Sequence, residues 1–306
     1  MDRRRFVSSA AAPAVGMGWI RGASSAQAPK ALDAAAFHAS RRFASTRFGR
    51  IAYVERGNGP VALFLHGFPL NGFQWRGLLE RLSPYRRCLA PDFVGLGYTE
   101  SPDQEDFSPQ AQADMLAALL DELLIPAVDL VANDSGLTIA QLFVVQHPGR
   151  VRTMLFTNGD VHENSPPVQM RNSIDAARAG RYDQKMARHL QDPMYARSPQ
   201  GIGGSAYANP ANFTDEAIEV YFGPLVSTPL RRTQLNRYLA AFEPNPLVAI
   251  EPALRRITAP TRMLWGTADP LFPVVWAEWL DRPFPAPEAC ALSKAESCSG
   301  RRSSPT

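Results

Sequence analysis

The chain has 306 residues, enough for one α/β domain with an inserted segment, and 45% of them are hydrophobic, as in a typical globular protein. The formal charge is +3, and the first 26 residues alone supply this excess, so no basic surface remains to indicate a nucleic-acid partner. Three scattered cysteines predict neither a disulfide framework nor a metal site, and we expect no metal and no cofactor.

Residues 1–26 are typical of an export signal. Three consecutive arginines precede Phe6, and a mildly apolar, alanine-rich stretch follows. Small residues then occupy the third and first positions before a cleavage point after Ala26. The apolar stretch is too short for a stable membrane span. We therefore expect a twin-arginine signal peptide, transient contact with the twin-arginine export machinery, and a periplasmic or exported location in a bacterium.

Strands and helices alternate after a loose leader at 27–44. The predicted elements are, in chain order, strands at 49–56 and 61–65, a helix at 72–82, a strand at 88–90, a helix at 108–124, and strands at 128–132, 151–157 and 257–265. This alternation predicts an α/β fold with a mostly parallel sheet flanked by helices. The core is expected to occupy residues 45–160 and 251–280.

Residues 161–250 interrupt the alternation. They contain helix-like stretches, such as 167–191 and 214–222, but no strong strand, which predicts a helical cap inserted after the sixth strand. The cap is rich in tyrosines, which we interpret as mostly structural, with some able to line a pocket. They are Tyr182, Tyr195, Tyr207, Tyr221 and Tyr238.

A sharp turn between the strand at 128–132 and the helix that follows it is the strongest candidate site. Such a turn carries a nucleophile when small residues lie two positions before and after it. With Asp134 at the apex the flanking residues are Ala132 and Gly136, whereas Ser135 at the apex would be flanked by asparagine and leucine. The spacing therefore predicts a carboxylate nucleophile, although aspartate also favours turns and helix N-caps for structural reasons.

Four motifs occur in a fixed order along residues 45–280: His-Gly-Phe-Pro at 66–69, Pro-Asp…Gly-Leu-Gly at 91–97, the turn at 132–136, and Gly-Thr-Ala-Asp at 266–269. Together they resemble the α/β-hydrolase superfamily, and within it the haloalkane dehalogenase and epoxide hydrolase branch. The resemblance implies an enzyme in which Asp134 attacks a small apolar haloalkane or epoxide and forms a covalent alkyl ester, which water then cleaves.

The resemblance also implies roles for other residues. Asp269 would be the acid that orients a catalytic histidine, with Asp160 as the alternative position for that acid. The backbone N–H groups of Phe68 and Ser135 would form the oxyanion and leaving-group pocket. Dehalogenases of the family hold the halide with tryptophan or asparagine at these two places. Epoxide hydrolases use two cap tyrosines, and Tyr238 is the candidate here.

The catalytic histidine of this branch follows an eighth strand, but all five histidines of this chain precede Asp269. His162 is a candidate substitute. Residues 281–306 show no periodicity, and we interpret them as an aberrant, disordered tail in which the last strand and helix are missing, with a reading-frame shift as the hypothesis. We therefore expect impaired ester hydrolysis, with low stability or activity.

Two alternatives stay open. One is a serine esterase that uses Ser135, which the spacing of the turn opposes. The other is a pseudoenzyme of the same fold that binds a small-molecule ligand without turning it over.

Overall fold

The computed structural model describes residues 32–282, residue 284 and the backbone of residues 291–293. The predicted signal peptide and most of the predicted tail lie outside these residues. Among the described helices, none is long and apolar enough to cross a membrane.

An eight-stranded sheet forms the centre of the molecule. Its strands are β1 (Arg41–Thr46), β2 (Gly49–Arg56), β3 (Val61–Leu65), β4 (Arg87–Pro91), β5 (Val128–Asp134), β6 (Val151–Gly159), β7 (Thr261–Gly266) and β8 (Ala291–Ser293). The order across the sheet is β1-β2-β4-β3-β5-β6-β7-β8. β2 pairs antiparallel with β1 and β4, and every other neighbouring pair is parallel. The predicted, mostly parallel α/β sheet is thus confirmed.

Helices cover both faces of the sheet and form a layer above its carboxyl edge. The described α-helices are α1 (Ala34–Ala39), α2 (Arg76–Leu82), α3 (Pro109–Glu122), α4 (Gly136–Gln146), α5 (Arg171–Arg178), α6 (Tyr182–Gln191), α7 (Pro193–Arg197), α8 (Ile202–Ala206), α9 (Asp215–Val226), α10 (Pro229–Ala240), α11 (Leu247–Leu254) and α12 (Val275–Asp281). Residues 160–260, all described, contain helices but no strand, and only an isolated bridge joins Val161 to Asn164.

The helix that follows the central strand is almost completely buried, and the strand itself is buried at alternate residues. Residues 136–144 of α4 are all buried, because this helix lies inside the molecule between the sheet and its neighbouring helices. β5 lies between β3 and β6, so its carboxyl end is the middle of the sheet edge. The turn between β5 and α4 is therefore held rigidly at the point where ligands bind in sheets of this kind.

Two segments differ from the sequence-based expectation. The predicted loose leader contains α1, where the Asp33 carboxylate caps the helix by accepting the N–H of Ala36 at 2.8 Å, and Phe37 packs edge-on against Phe73. The predicted tail contains β8, which pairs in parallel with β7. The reason is the open edge of β7, whose unpaired backbone groups accept even a three-residue strand. The rest of the tail prediction lies outside the described residues.

Candidate active site

The turn between β5 and α4 has Asp134 at its apex. Asp134 adopts a left-handed conformation with φ of 55°, whereas Ser135 has φ of −63° and already belongs to the helical segment. A left-handed backbone costs about 1–2 kcal/mol for an ordinary residue, and such strain concentrates at functional sites. The backbone therefore presents the carboxylate, and not the neighbouring hydroxyl, at the carboxyl edge of the sheet.

Three glycines make room for this apex. A Cβ on Gly136 would lie 2.7 Å from the His66 carbonyl oxygen, and one on Gly159 would lie 2.5 Å from the Asp134 carbonyl oxygen. A Cβ on Gly67 would lie 2.5 Å from the Asp134 Cβ. The spacing argument identified only Gly136. Gly67 and Gly159 approach Asp134 from neighbouring strands, so no local pattern could reveal their role.

Two backbone donors hold one oxygen of the Asp134 carboxylate. Oδ1 accepts the N–H of Phe68 at 2.9 Å and the N–H of Ser135 at 2.6 Å, the two groups named from the sequence. No described hydrogen bond holds Oδ2. Burial raises the pKa of Asp134, and the charge of Asp269 adds to this effect, while the two backbone hydrogen bonds oppose it. The Ser135 side chain also lowers this pKa, so the site offers a poorly solvated carboxylate with one oxygen held by two backbone donors.

The loop of residues 66–69 is fixed by polar side chains beneath it. His66 Nδ1 donates to the Gly67 carbonyl at 2.9 Å, and Nε2 accepts the N–H of Phe93 at 3.1 Å. Burial lowers the pKa of His66, so the ring is neutral and supports the loop. Gln74 accepts the Gly67 N–H at 2.8 Å and donates to Asn133 at 2.6 Å, which ties the loop to the strand before the apex.

Asp160 lies beside Asp134 in the buried interior. The residue is 2% exposed, and its backbone N–H approaches the Asp134 carbonyl at 3.3 Å. Oδ2 accepts from the Thr138 hydroxyl at 3.2 Å, and Oδ1 has no hydrogen-bond partner among the described residues. Burial raises the pKa of Asp160 well above its ordinary value, and the charge of Asp134 raises it further.

Asp269 follows β7 and is half-buried. Its Oδ1 accepts the N–H groups of Leu271 at 2.8 Å and Phe272 at 3.0 Å. Burial raises the pKa of this carboxyl, and the hydrogen bonds oppose the rise. Three carboxylates therefore meet at this edge, yet no group of three potential ligands among the described residues has an arrangement that would hold a metal ion.

His162 is not brought to the apex. Its Nε2 lies 3.2 Å from Glu251 Oε2, and its ring stacks on Trp279 with centroids 4.4 Å apart. All five histidines of the chain lie within residues 32–282. None forms a hydrogen bond or ion pair with Asp134 there, so the described residues supply no histidine base at this position.

Two cap tyrosines pack against the ring of Phe68, whose backbone N–H binds the Asp134 carboxylate. The centroid of Phe68 lies 5.6 Å from those of Tyr182 on α6 and Tyr238 on α10, and the Tyr238 ring is parallel to it within 7°. Burial raises the pKa of both tyrosines, and the charge of Asp134 raises each further. Both hydroxyls thus remain protonated at neutral pH, and both interact electrostatically with the Asp134 carboxylate.

The Tyr238 hydroxyl is fully buried and has no hydrogen-bond partner among the described residues. The hydroxyl of Ser135 likewise has no partner in hydrogen-bonding geometry among these residues, but the Ser135 side chain interacts with Tyr238 and lowers its pKa. A buried donor without a partner costs about 1–3 kcal/mol, so such a group in a natural fold calls for an explanation, and a catalytic role is one. The sequence singled out Tyr238, but it treated Tyr182 as one more structural cap tyrosine.

Comparisons with known proteins agree with this architecture. The family model described as alpha/beta hydrolase fold matches residues 60–286. A haloalkane dehalogenase from Mesorhizobium japonicum is 39% identical over 107 residues, which are 35% of this chain and 34% of that protein. The chain therefore spans about a third of the length of this curated relative.

Solved structures are similar over more of the chain. A putative ancestral haloalkane dehalogenase is 27% identical, with a TM-score of 0.63, over 82% of this chain and 88% of that one. The epoxide hydrolase CorEH, at 21% identity and a TM-score of 0.61 over 74% and 82% of the two chains, shows the fold alone. The predicted resemblance is thus confirmed, and the chain belongs to the α/β-hydrolase fold family.

Proposed function

We propose that this protein is a hydrolase whose Asp134 opens small apolar epoxides and forms a covalent alkyl ester. The observation that carries the proposal is the pair of tyrosines, Tyr182 and Tyr238, whose rings both pack against Phe68 and whose hydroxyls both experience the charge of Asp134. Opening an epoxide leaves an alkoxide on the carbon chain, so it needs a proton donor opposite the nucleophile. A departing halide needs none.

The geometry supports a definite first step. Asp134 Oδ1 is held by two backbone N–H groups, so Oδ2 is the oxygen that attacks one ring carbon. The bond between that carbon and the ring oxygen breaks, and the oxygen takes its proton from a tyrosine hydroxyl. The product is a hydroxyalkyl ester on Asp134 and a tyrosinate, which regains its proton from water.

The second step is hydrolysis of the ester. Water attacks the ester carbonyl carbon, and the N–H groups of Phe68 and Ser135 stabilise the developing oxyanion. Collapse of this intermediate releases the diol and restores the carboxylate. Because no histidine contacts Asp134 among the described residues, we propose that water attack is slow and that the ester accumulates.

Dehalogenation of a small haloalkane is the second candidate, favoured by the 39% identity to a haloalkane dehalogenase. The same carboxylate would attack, and the halide would leave. The side chains at the two usual halide-binding places are the hydroxyl of Ser135, which supplies one donor, and the ring of Phe68, which supplies none, whereas an indole or an amide would supply N–H donors. The remaining candidates are an esterase using Ser135 and a pseudoenzyme that binds without reacting.

Intact-protein mass spectrometry separates these candidates. After incubation with a small terminal epoxide we expect a mass gain equal to the whole epoxide, since ring opening expels nothing. A haloalkane would add its mass minus that of the hydrogen halide. Asp134→Asn should abolish the gain, and the control Ser135→Ala should keep it. A gain lost only in Ser135→Ala would place the nucleophile at Ser135, as the esterase candidate requires, and no gain with either compound would reject a covalent mechanism.

We further propose that residues 1–26 direct twin-arginine export to the periplasm. The three arginines before Phe6 support this. A reporter fused after residue 31 should reach the periplasm, and lysines in place of Arg3 and Arg4 should keep it in the cytoplasm. Equal distribution of both fusions would contradict the proposal.

A further inference from the structure

The N-terminus of α6 lacks a cap of its own. The first turn of a helix has N–H groups without partners inside the helix, and a side chain at the N-cap usually accepts one of them. Here Arg181 occupies the N-cap and makes no such bond. The N–H of Tyr182, the first residue of α6, donates instead to Asn236 Oδ1 on α10 at 2.8 Å.

Both the oxygen and the nitrogen of the Asn236 amide take part in hydrogen bonds in this position. Its Nδ2 donates to Asp183 Oδ1 at 2.9 Å and to the Arg232 carbonyl at 2.9 Å. Arg232 in turn donates to Asp183 Oδ2 at 3.2 Å. Asn236 is 6% exposed and Asp183 is 8% exposed, so water competes little for these bonds. One amide thus joins the start of α6 to α10.

These two helices carry the two tyrosines of the site. Tyr182 is the residue whose backbone Asn236 holds, and Tyr238 lies two residues after Asn236 on the same helix. The amide therefore fixes the distance between the backbones from which both hydroxyls project. From this arrangement we infer that Asn236, supported by Asp183 and Arg232, is a positioning residue that sets the tyrosine pair for proton delivery to an epoxide oxygen. The inference rests on the proposed function.

The chemistry of the network predicts which substitution is informative. Asn236→Asp keeps the shape and the acceptor for the Tyr182 N–H, but it loses both donated bonds and places a second carboxylate against Asp183. Asn236→Asp combined with Asp183→Asn exchanges the two groups and restores a donor between them. If the hydrogen bond between residues 236 and 183 matters, the double variant should recover part of the reaction rate that the single variant loses.

The test measures the rate of adduct formation with a small terminal epoxide by intact mass. We expect Asn236→Asp to slow this rate about 10- to 100-fold, since small misplacements of catalytic groups have effects of this size. The exchanged pair should recover at least part of the rate. A matched control is Asn245→Asp, because Asn245 likewise accepts a helix N–H, that of Leu247, and donates to a carbonyl, that of His162. Its rate should remain within twofold of wild type.

A double-mutant comparison separates positioning from general damage. In a Tyr182→Phe background one of the two hydroxyls whose spacing Asn236 sets is absent, so we expect Asn236→Asp to change the remaining rate less than twofold. An equal slowing in both backgrounds, or no slowing in either, would overturn the inference. If wild type itself gains no mass with the epoxide, the proposed function fails instead, and the two failures are therefore distinguishable.

Discussion

The two sides of the site are built in different ways. The lower side is the turn at Asp134, which consecutive residues form and which backbone groups hold, namely the N–H of Phe68, the N–H of Ser135 and the nearby glycines. The upper side consists of two tyrosines on separate cap helices, which are joined by a hydrogen bond from the Tyr182 N–H to the Asn236 side chain, 54 positions along the chain. The lower side depends on backbone geometry and the upper side on side-chain contacts.

This difference separates two contributions to the site. The turn provides the nucleophile, and the cap determines which reaction that nucleophile carries out. A backbone-built turn can present a nucleophile in many enzymes, because it needs only small residues and two N–H groups. The proton donors on the cap determine whether the site can protonate the leaving group, and therefore which substrate it can open. Substitutions in the turn should therefore affect folding and reaction together, whereas substitutions in the cap should change the reaction alone.

Gly159→Ala is the strongest test of the lower side. The new Cβ would lie 2.5 Å from the Asp134 carbonyl oxygen and 2.8 Å from its nitrogen, and neither backbone atom can move without distorting the turn. We expect a loss of about 3 kcal/mol in the free energy of unfolding, measured by urea denaturation. Gly149→Ala is the control, since its Cβ would meet nothing within 4 Å and should change stability by less than about 0.5 kcal/mol. Similar values for both would contradict a tightly packed turn.

Tyr238→Phe is the corresponding test of the upper side. Removing the hydroxyl should slow adduct formation with an epoxide about 100-fold, or roughly 2.7 kcal/mol, because one proton donor is lost. Stability should stay constant or rise, since the lost hydroxyl is buried without a partner among the described residues. Tyr85→Phe, at a residue that is 73% exposed, should change neither quantity. A loss of stability with an unchanged rate would assign Tyr238 a structural role.

The same division explains how far the sequence predicts the structure. The strands at 49–56 and 61–65 and the apex at Asp134 follow from local patterns, and the structure places them at those residues. The short elements α1 and β1 were missed because six residues offer little periodicity. The roles of Gly159 and Asn236 depend on partners far along the chain, so a single sequence contains no local signal for them.

Tyr182 shows the same limit within the site. It lies at the start of an amphipathic helix, where a buried aromatic residue is ordinary, and only the folded chain brings it against Phe68. His162 is the opposite case. It lies two residues after Asp160, just beyond β6. Its left-handed backbone, with φ of 46°, nevertheless turns the ring toward Glu251 and Trp279. Asp160 and His162 therefore show that residues close in the sequence, at the end of one strand, can have side chains in different sites.

Asp160 connects the two sides, because its charge acts on Tyr238 and it lies against Asp134. Asp160→Asn removes a buried carboxylate whose Oδ1 has no partner among the described residues. At pH 8 we expect this variant to be more stable than wild type by about 1 kcal/mol in urea denaturation. Asp269→Asn is the matched control. The pKa of its carboxyl is also raised, but this carboxylate accepts two backbone N–H groups and is half-buried, so the substitution should give a smaller gain.

The gain at Asp160 should depend on pH in a definite direction. The pKa of this carboxyl is raised in the folded protein, so below about pH 4 it is protonated in both folded and unfolded chains and costs nothing. As the pH rises, the unfolded chain ionises first, and wild type loses stability up to the raised folded pKa. Asparagine does not titrate, so the difference should vanish near pH 4 and grow towards pH 8. A difference that stays constant with pH would show that packing, and not charge, separates the two proteins.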